Sequence, residues 1–325
     1  MMKSVILAGL LLLLPSLGYA ACALPASTAS FGSVTTFVAN TTVSSTTTNA
    51  NVNCGAGAGL SLLGNNQITF QLTGATNSNG TRGTLKRSGD TGSDNVPVRL
   101  CTDTACATEL TIGGTPFVYG SQTLINLAGL LGSLNFAIPV YLRTVPGQVV
   151  AAGTYQLTLN MAVTYRICTS VAIGNICLSE QNGSGVIPIN ITAILTNDCT
   201  TITAPNISFG SAPLVGSFSA VSQTLNVLCS KGSTYTVGLS NGSYPVGSVR
   251  NMASGANRLS YEIYKSTTSN RWGSAGTERW SSTTSTAVST DGLTRGFNYT
   301  ARILTTQNTP PAGNYSDSVV VDLSF

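Results

Sequence analysis

The chain has 325 residues, of which 42% are hydrophobic and 8% charged, and its 15 lysines and arginines outnumber its 11 acidic residues to give a net charge of +4. This length and composition exclude a disordered chain and leave room for two domain cores, while so small a positive charge does not favour nucleic acid as a partner. The sequence contains no histidine. It therefore lacks the usual general base of hydrolytic triads and the commonest metal ligand, so we expect neither an enzyme nor a bound cofactor.

Residues 1–20 are typical of a secretory signal peptide. Lys3 precedes an apolar run over residues 5–14, and the small residues Gly18 and Ala20 stand ahead of a predicted cleavage site before Ala21. The run is shorter than the ~20 residues that span a bilayer. We therefore predict that the chain is exported.

The exported part of the chain repeats itself. Residues 22–32 are echoed by residues 199–210, and each segment is followed by a second cysteine. The best match is between residues 152–165 and residues 312–325. The sequence thus predicts two copies of one domain, over residues 21–196 and 197–325.

Both copies have the pattern of an all-β fold. Short apolar alternations, such as residues 68–72 and 235–239, are separated by turns rich in Ser, Thr, Asn and Gly, and no helical periodicity follows the signal peptide. Immunoglobulin-like β-sandwiches fit this pattern. We expect residues 152–165 and 312–325 to form equivalent strands, each with one inward face.

The copies differ after this strand. The first continues through Cys168 and Cys177 into another alternating segment, residues 186–195, whereas the second has no further strand after Phe325. We expect residues 186–195 to complete the first domain, and the second domain to present an open apolar edge to a strand of another chain. The residues expected to line this strand-acceptor groove are Tyr315, Val319, Val321, Leu323 and Phe325.

Eight cysteines in an exported chain predict disulfides rather than a metal site. They can be paired in many ways. Because the repeat places one cysteine pair at the start of each copy, we expect pairing in sequence order: Cys22 with Cys54, Cys101 with Cys106, Cys168 with Cys177, and Cys199 with Cys229.

The second copy resembles the spore coat protein U domain, the pilin fold of archaic chaperone/usher pili. The matching positions are Cys199, Cys229, Tyr235, and residues 209–210, 239–242, 250–252, 259–261, 272–273 and 311–325. The first copy carries less of this pattern, since it has no Trp-Gly pair. The resemblance implies donor-strand complementation: a periplasmic chaperone lends a strand to the incomplete domain, and the N-terminal extension of the next pilin subunit replaces it at the outer-membrane usher.

Pilins of this family carry an apolar extension ahead of their first cysteine, whereas the predicted mature chain has only Ala21 there. One residue spans at most ~3.6 Å and cannot fill a groove several residues long. We therefore expect a chain that accepts a strand without donating one, similar to the two-domain tip adhesins of archaic pili. This resemblance implies a position at the pilus tip on the cell surface, adhesion to hydrophobic abiotic or host surfaces, and biofilm formation.

Three loops of the first copy are apolar where loops are usually polar: residues 55–64, residues 124–134, and the segment between Cys168 and Cys177. In sandwich order these connections meet at one pole, which predicts a surface-binding site of three apolar fingers. The alternative is that their leucines fold back into the core, with residues 124–134 forming a short helix. The predicted contact residues are Leu60, Leu62, Leu63, Leu127, Leu130, Leu131, Leu134, Val171, Ala172, Ile173 and Ile176.

Two other functions compete with surface adhesion, a structural spore-coat-type subunit and a pilus-tip lectin. For the lectin, Tyr261, Tyr264, Trp272 and Trp280 are candidates for a sugar-stacking platform, although aromatic residues of a sandwich usually pack in its core. Residues 90–95 predict a solvated turn rather than a calcium site, because they lack the ligand run that ends in Glu.

Overall fold

The computed structural model describes residues 21–55, 66–128, 134–168, 177 and 179–325. The signal peptide predicted over residues 1–20 lies outside these ranges. The described residues form two hydrophobic cores, one drawn from residues between Cys22 and Leu195 and the other from residues between Val215 and Ile303. The chain is thus an all-β protein of two sandwich-like domains, as its alternating pattern predicts.

The described residues of the first domain form eleven strands and two short helices. Its strands are β1 (Ser27–Thr35), β2 (Ser45–Asn53), β3 (Gln67–Ala75), β4 (Ser78–Asn79), β5 (Arg82–Arg87), β6 (Asn95–Cys101), β7 (Glu109–Leu110), β8 (Phe117–Gly120), β9 (Asn135–Thr144), β10 (Gly153–Cys168) and β11 (Glu180–Thr196), and its helices are α1 (Thr36–Thr41) and α2 (Ser121–Ala128).

The second domain contains nine strands. They are β12 (Cys199–Thr203), β13 (Val221–Cys229), β14 (Thr236–Leu239), β15 (Arg250–Ser254), β16 (Asn257–Lys265), β17 (Trp280–Ser281), β18 (Ala287–Val288), β19 (Thr294–Ile303) and β20 (Val321–Ser324). One sheet has the order β12-β13-β19-β16-β15, and the other has the order β17-β14-β20.

The two-residue period of the sequence sets the core of the first domain. Every second residue of β10 is buried, from Tyr155 to Tyr165. The strand β11 pairs with β10 in the antiparallel sense along the whole length of β10, and on its other side it pairs with β1 in the parallel sense. Its inward residues Ile187, Ile189 and Ile191 are at most 1% exposed. The strand β11 thus completes the first sandwich from within the same chain.

All four disulfides join cysteines in sequence order: Cys22–Cys54, Cys101–Cys106, Cys168–Cys177 and Cys199–Cys229. This is the pairing that the repeat predicts. The first and last of them occupy equivalent places at the start of the two domains.

The two domains touch where β11 leads into β12. Only Asn197 and Asp198 separate these strands. Beside this connection the Thr36 and Ser230 hydroxyls form a buried hydrogen bond of 2.6 Å, and Lys231 Nζ lies 2.5 Å from Asp94 Oδ1. Asp94 is only 7% exposed, so the prediction of a solvated turn over residues 90–95 is wrong at this residue.

Among the described residues, no helix has the length and apolar character needed to cross a membrane.

Candidate functional site: an open strand edge and a loop-bearing pole

Strand β10 and residues 315–325 hold equivalent places in the two domains. Tyr155 donates a hydrogen bond of 2.7 Å to the carbonyl of Ala151, and Tyr315 donates one of 2.7 Å to the carbonyl of Pro311. Each tyrosine thus closes the same kind of corner on a residue four positions upstream. The neighbouring strands are equivalent as well. In the first domain β3 pairs with β10, with Leu72 opposite Met161, and in the second β14 pairs with β20, with Leu239 opposite Val321.

The two strands differ in what lies at their second edge. Strand β10 is paired on both sides, with β11 along one edge and with β3 and β5 along the other. Strand β20 pairs with β14 along one edge, and no strand in the described part of the chain pairs with its other edge. The residues ahead of β20 use the same side, since Ser316 bonds to Ala253 and the Val320 carbonyl accepts from Ser240. A row of main-chain donors and acceptors is therefore open to a further strand.

Side-chain burial records the same difference. In the first domain Tyr155, Leu159 and Met161 are all 0% exposed. Their counterparts Tyr315, Val319 and Val321 are only half-buried against the second core. Leu323 is also half-buried there. Phe325 is 67% exposed, with its ring centroid 6.1 Å from that of Tyr235. The residues predicted for the strand-acceptor groove, Tyr315, Val319, Val321, Leu323 and Phe325, therefore form one incompletely covered face.

A further wall at the Tyr315 end of this groove comes from residues whose role the sequence pattern did not predict. In the first domain, β1 follows the first cysteine and pairs with β11. In the second domain the corresponding residues 204–214 form no strand, and a groove of about 440 Å³ separates them from residues 309–315. Ile207, Phe209 and Met252 line it. The repeated Phe-Gly pair, at residues 31–32 and 209–210, is the sequence signal for this wall.

A network of buried charged side chains lies beside the strand-acceptor groove. Arg250 is 0% exposed, and its guanidinium donates to Glu262 at 2.8 Å and to three main-chain carbonyls, those of Leu239, Ser240 and Trp272. Burial lowers the pKa of the Arg250 guanidinium, and the neighbouring Glu262 carboxylate opposes that shift. Since Ser240 in turn bonds to Val320, this network fixes the strand that borders the groove.

The aromatic residues considered for a sugar platform are mostly in the core. Trp272 is 0% and Trp280 5% exposed, their ring centroids are 4.9 Å apart, and Trp272 Nε1 donates to the carbonyl of Val237. Tyr261 is 4% exposed and donates to Asp317 at 2.7 Å. Only Tyr264 is accessible, beneath Arg302. The expected alternative, core packing, applies to three of the four.

At the far end of the first domain, the stems of the three apolar loops are hydrogen-bonded to one another. The Cys54 N–H donates to the carbonyl of Leu134 at 3.0 Å, and the Leu134 N–H donates to the carbonyl of Gly55 at 3.1 Å. Asn66 accepts from the Cys168 N–H at 2.7 Å through its side chain and donates to Ser121 Oγ through its main chain. These bonds bring the stems together at one pole.

This pole is remote from the second domain. The Gly153 end of β10 lies beside Ala151, whose N–H donates to Asp94 at the domain contact, and the Cys168 end lies at the loop-bearing pole. At ~3.3 Å per residue, the 16 residues of β10 place the two ends about 50 Å apart.

In the second apolar loop, residues 124–134, the described leucines pack toward the core. Leu134 is 1% exposed and belongs to the first core, so its prediction as a surface contact is wrong, because its main chain is bonded between the loop stems. Leu127 lies in helix α2 and packs partly against the core, together with the buried Leu124. A helix is present over Ser121–Ala128, which includes the first residues of the segment 124–134 for which a short helix was the alternative. The remaining predicted contact residues lie outside the described ranges: Leu60, Leu62, Leu63, Leu130, Leu131, Val171, Ala172, Ile173 and Ile176.

Comparison with known proteins adds four findings. A family model described as the Spore Coat Protein U domain matches residues 11–162 and 186–322. Comparison with curated protein sequences found no match. Among solved structures, the chain is similar to a chain of the CsuC–CsuE chaperone–tip adhesion subunit pre-assembly complex from the archaic chaperone-usher Csu pili of Acinetobacter baumannii, with 23% identity, 94% of this chain and 100% of that chain covered, and a TM-score of 0.55.

A weaker likeness is to the CupB6 tip adhesin from Pseudomonas aeruginosa, with 13% identity, 90% of this chain and 88% of that chain covered, and a TM-score of 0.36. The first of these two likenesses is one of fold, over nearly the whole chain.

Proposed function

The chain belongs to the Spore Coat Protein U domain family, and from this premise we propose that it is the tip adhesin of a secreted chaperone–usher pilus. In this proposal the second domain accepts a strand from another subunit, and the first domain attaches the fibre to a surface and so promotes biofilm formation.

The open edge of β20 is the observation that carries this proposal. A half-buried apolar face next to an unpaired edge is unfavourable in water, and an added β-strand covers both at once. Within this chain, β11 does so for β10. A strand in the groove of the second domain would therefore run antiparallel to β20 and parallel to residues 204–214, as β11 runs relative to β10 and β1.

The proposed occupants of the groove are a periplasmic chaperone during export and, after exchange at an outer-membrane usher, the next pilin subunit. The likeness to a structure of a chaperone–tip adhesion subunit complex supports the first of these partners. The first domain already contains its completing strand, β11, so the groove proposed to accept a strand is that of the second domain.

The proposed contact with surfaces is made by the loops at the pole remote from the second domain. Their bonded stems support a shared contact area, and its residues are those predicted above without Leu134, with Leu127 at its base. A hydrophobic solid, a lipid layer or an apolar host surface would gain ~1.5–3 kcal/mol for each leucine or isoleucine that it covers, before ordering costs.

The test of the strand-acceptor function is self-complementation. An Asn-Gly turn after Phe325, followed by a second copy of residues 183–196, would place the appended strand opposite β20 in the register of β11. We expect this fusion to be a soluble monomer, with slow hydrogen exchange at the main-chain amides of Val319, Val321 and Leu323, which alternate with the amides that face β14. The unfused chain should aggregate unless a chaperone is co-expressed.

The matched control carries Asn in place of Ile187, Ile189 and Ile191 of the appended copy, which keeps the length and removes the apolar face. It should behave like the unfused chain. An unfused chain that is monomeric, with the amides of Val319, Val321 and Leu323 already protected, would contradict the proposal.

A further inference from the structure

The internal repeat gives the register of the strand that the groove would accept. In the first domain Ile189 lies opposite Leu159, Ile191 opposite Leu157, and Ala193 opposite Tyr155. Because the second domain has Val319, Asp317 and Tyr315 at the equivalent places, a strand in the groove meets these three residues in that order. This inference rests on the proposed strand acceptance.

One of these places differs in chemistry between the domains. Leu157 is 2% exposed and apolar, whereas its counterpart Asp317 carries a carboxylate on the same half-buried face. That carboxylate accepts from Tyr261 Oη at 2.7 Å and from the Ser243 N–H at 2.7 Å. Gly242, at φ +79°, lies so close that a Cβ there would clash with it. The Ser318 N–H also donates to it, at 2.8 Å, so three donors hold the carboxylate in place.

The facing wall changes at the same place. In the first domain Ile191 fits between Leu157 and Ala29 of β1. Ala29 stands two residues before the pair Phe31-Gly32, and the residue two before Phe209-Gly210 is Ile207. Gly32 and Gly210 share a positive φ of 73° and 74°, which supports this correspondence. Ile207 lines the groove beside Tyr315. By the repeat it takes the place of Ala29 across from the Asp317 position, with three more side-chain carbon atoms.

We propose that this register position selects the strand. The strand that fills the groove carries large apolar side chains opposite Val319 and Val321, and a small or hydrogen-bonding side chain such as Ser or Thr opposite Asp317. An isoleucine there would press against Ile207 and cover a carboxylate without giving it a donor, which is costly, whereas a hydroxyl would donate to it. The groove thus distinguishes this strand from one with an uninterrupted apolar face such as β11.

The experiment uses the full mature chain fused to its own residues 183–196 after an Asn-Gly turn. Two single changes are made in the appended copy. Ile191→Thr places a hydroxyl opposite Asp317, and Ile189→Thr, the matched control, places it opposite Val319. We expect Ile191→Thr to raise the unfolding midpoint of the second domain by at least about 3 °C and Ile189→Thr to lower it by a similar amount.

A further change in the acceptor tests the wall. Ile207→Ala should reduce the advantage of Ile191→Thr by half or more, because it restores the space that Ala29 leaves in the first domain. Equal losses from the two threonine changes, or an advantage that Ile207→Ala leaves unchanged, would overturn the inference. If no fusion raises the midpoint above that of the unfused chain, the proposed strand acceptance itself fails, which is a distinct result.

Discussion

At the scale of single residues, the second domain contains a buried ion pair whose hydrogen bonds an apolar side chain could not make. Arg250 and Glu262 are 0% and 7% exposed in their side chains, and Glu262 also pairs with Arg271, which bonds to Glu278 at 2.5 Å. Each nitrogen of the Arg250 guanidinium has an acceptor. A buried charge with every partner in place holds one geometry, and removal of one member leaves the others unpaired.

We therefore predict that Arg250→Met destabilises the second domain by about 3–5 kcal/mol, measured by urea unfolding of the self-complemented chain. Arg302→Met is the control, because Arg302 is exposed, covers the ring of Tyr264 and donates one long hydrogen bond, of 3.5 Å, to the carbonyl of Thr267. It should cost less than ~1 kcal/mol. Equal effects would mean that the buried network contributes no more than a surface charge.

At the scale of elements, the three apolar loops at the loop-bearing pole of the first domain give a direct test of surface binding. We predict that Leu62→Ser with Leu63→Ser, or Leu130→Ser with Leu131→Ser, abolishes attachment to hydrophobic plastic while the free energy of unfolding changes little. The reason is that, in the proposed function, these side chains contact the surface and contribute little to the core. The same result is expected for Val171→Thr with Ile173→Thr.

Leu134→Ala is the matched control for the loop changes, because Leu134 stands at the stem of the same loop but is buried. It should cost ~2–5 kcal/mol of stability, as large-to-small core changes do. Loop variants that lose as much stability as this control would show that the loops pack inward. Loop variants with normal stability and normal attachment would show that the binding surface lies elsewhere on the chain.

The elements themselves show what the sequence could predict. The inward faces of β10 and β20 follow from a period of two, because successive side chains of a strand point to opposite faces. The pairing of β1 with β11 could not be predicted from the local sequence. The same holds for the absence of a strand over residues 204–214. Both depend on a partner that is distant in sequence, and the same kind of segment is a strand in one domain and irregular in the other. Asp94 looked solvated because its partner, Lys231, lies 137 positions away.

At the scale of the whole molecule, two polar contacts join the domains beside their connection. The Lys231–Asp94 pair and the Thr36–Ser230 hydrogen bond flank the connection at Asn197 and Asp198. We predict that Lys231→Ala combined with Thr36→Val broadens the range of domain orientations, seen as a larger maximum dimension in small-angle scattering of the self-complemented chain. Arg302→Ala, far from this contact, should leave the scattering unchanged. A curve identical to that of the unchanged chain would mean that the short connection alone fixes the orientation.

The long antiparallel pair of β10 and β11 has a mechanical consequence. The Cys168–Cys177 disulfide ties the two strands at the outer pole, and β11 continues from there through Thr196 into the second domain. Tension applied at the outer pole would therefore run lengthwise along β11, and the ladders to β10 and β1 would bear it in shear, with many hydrogen bonds loaded together rather than opened one by one. Because rupture under load is governed by the rate of unfolding, such a column resists a steady pull better than its equilibrium stability alone implies.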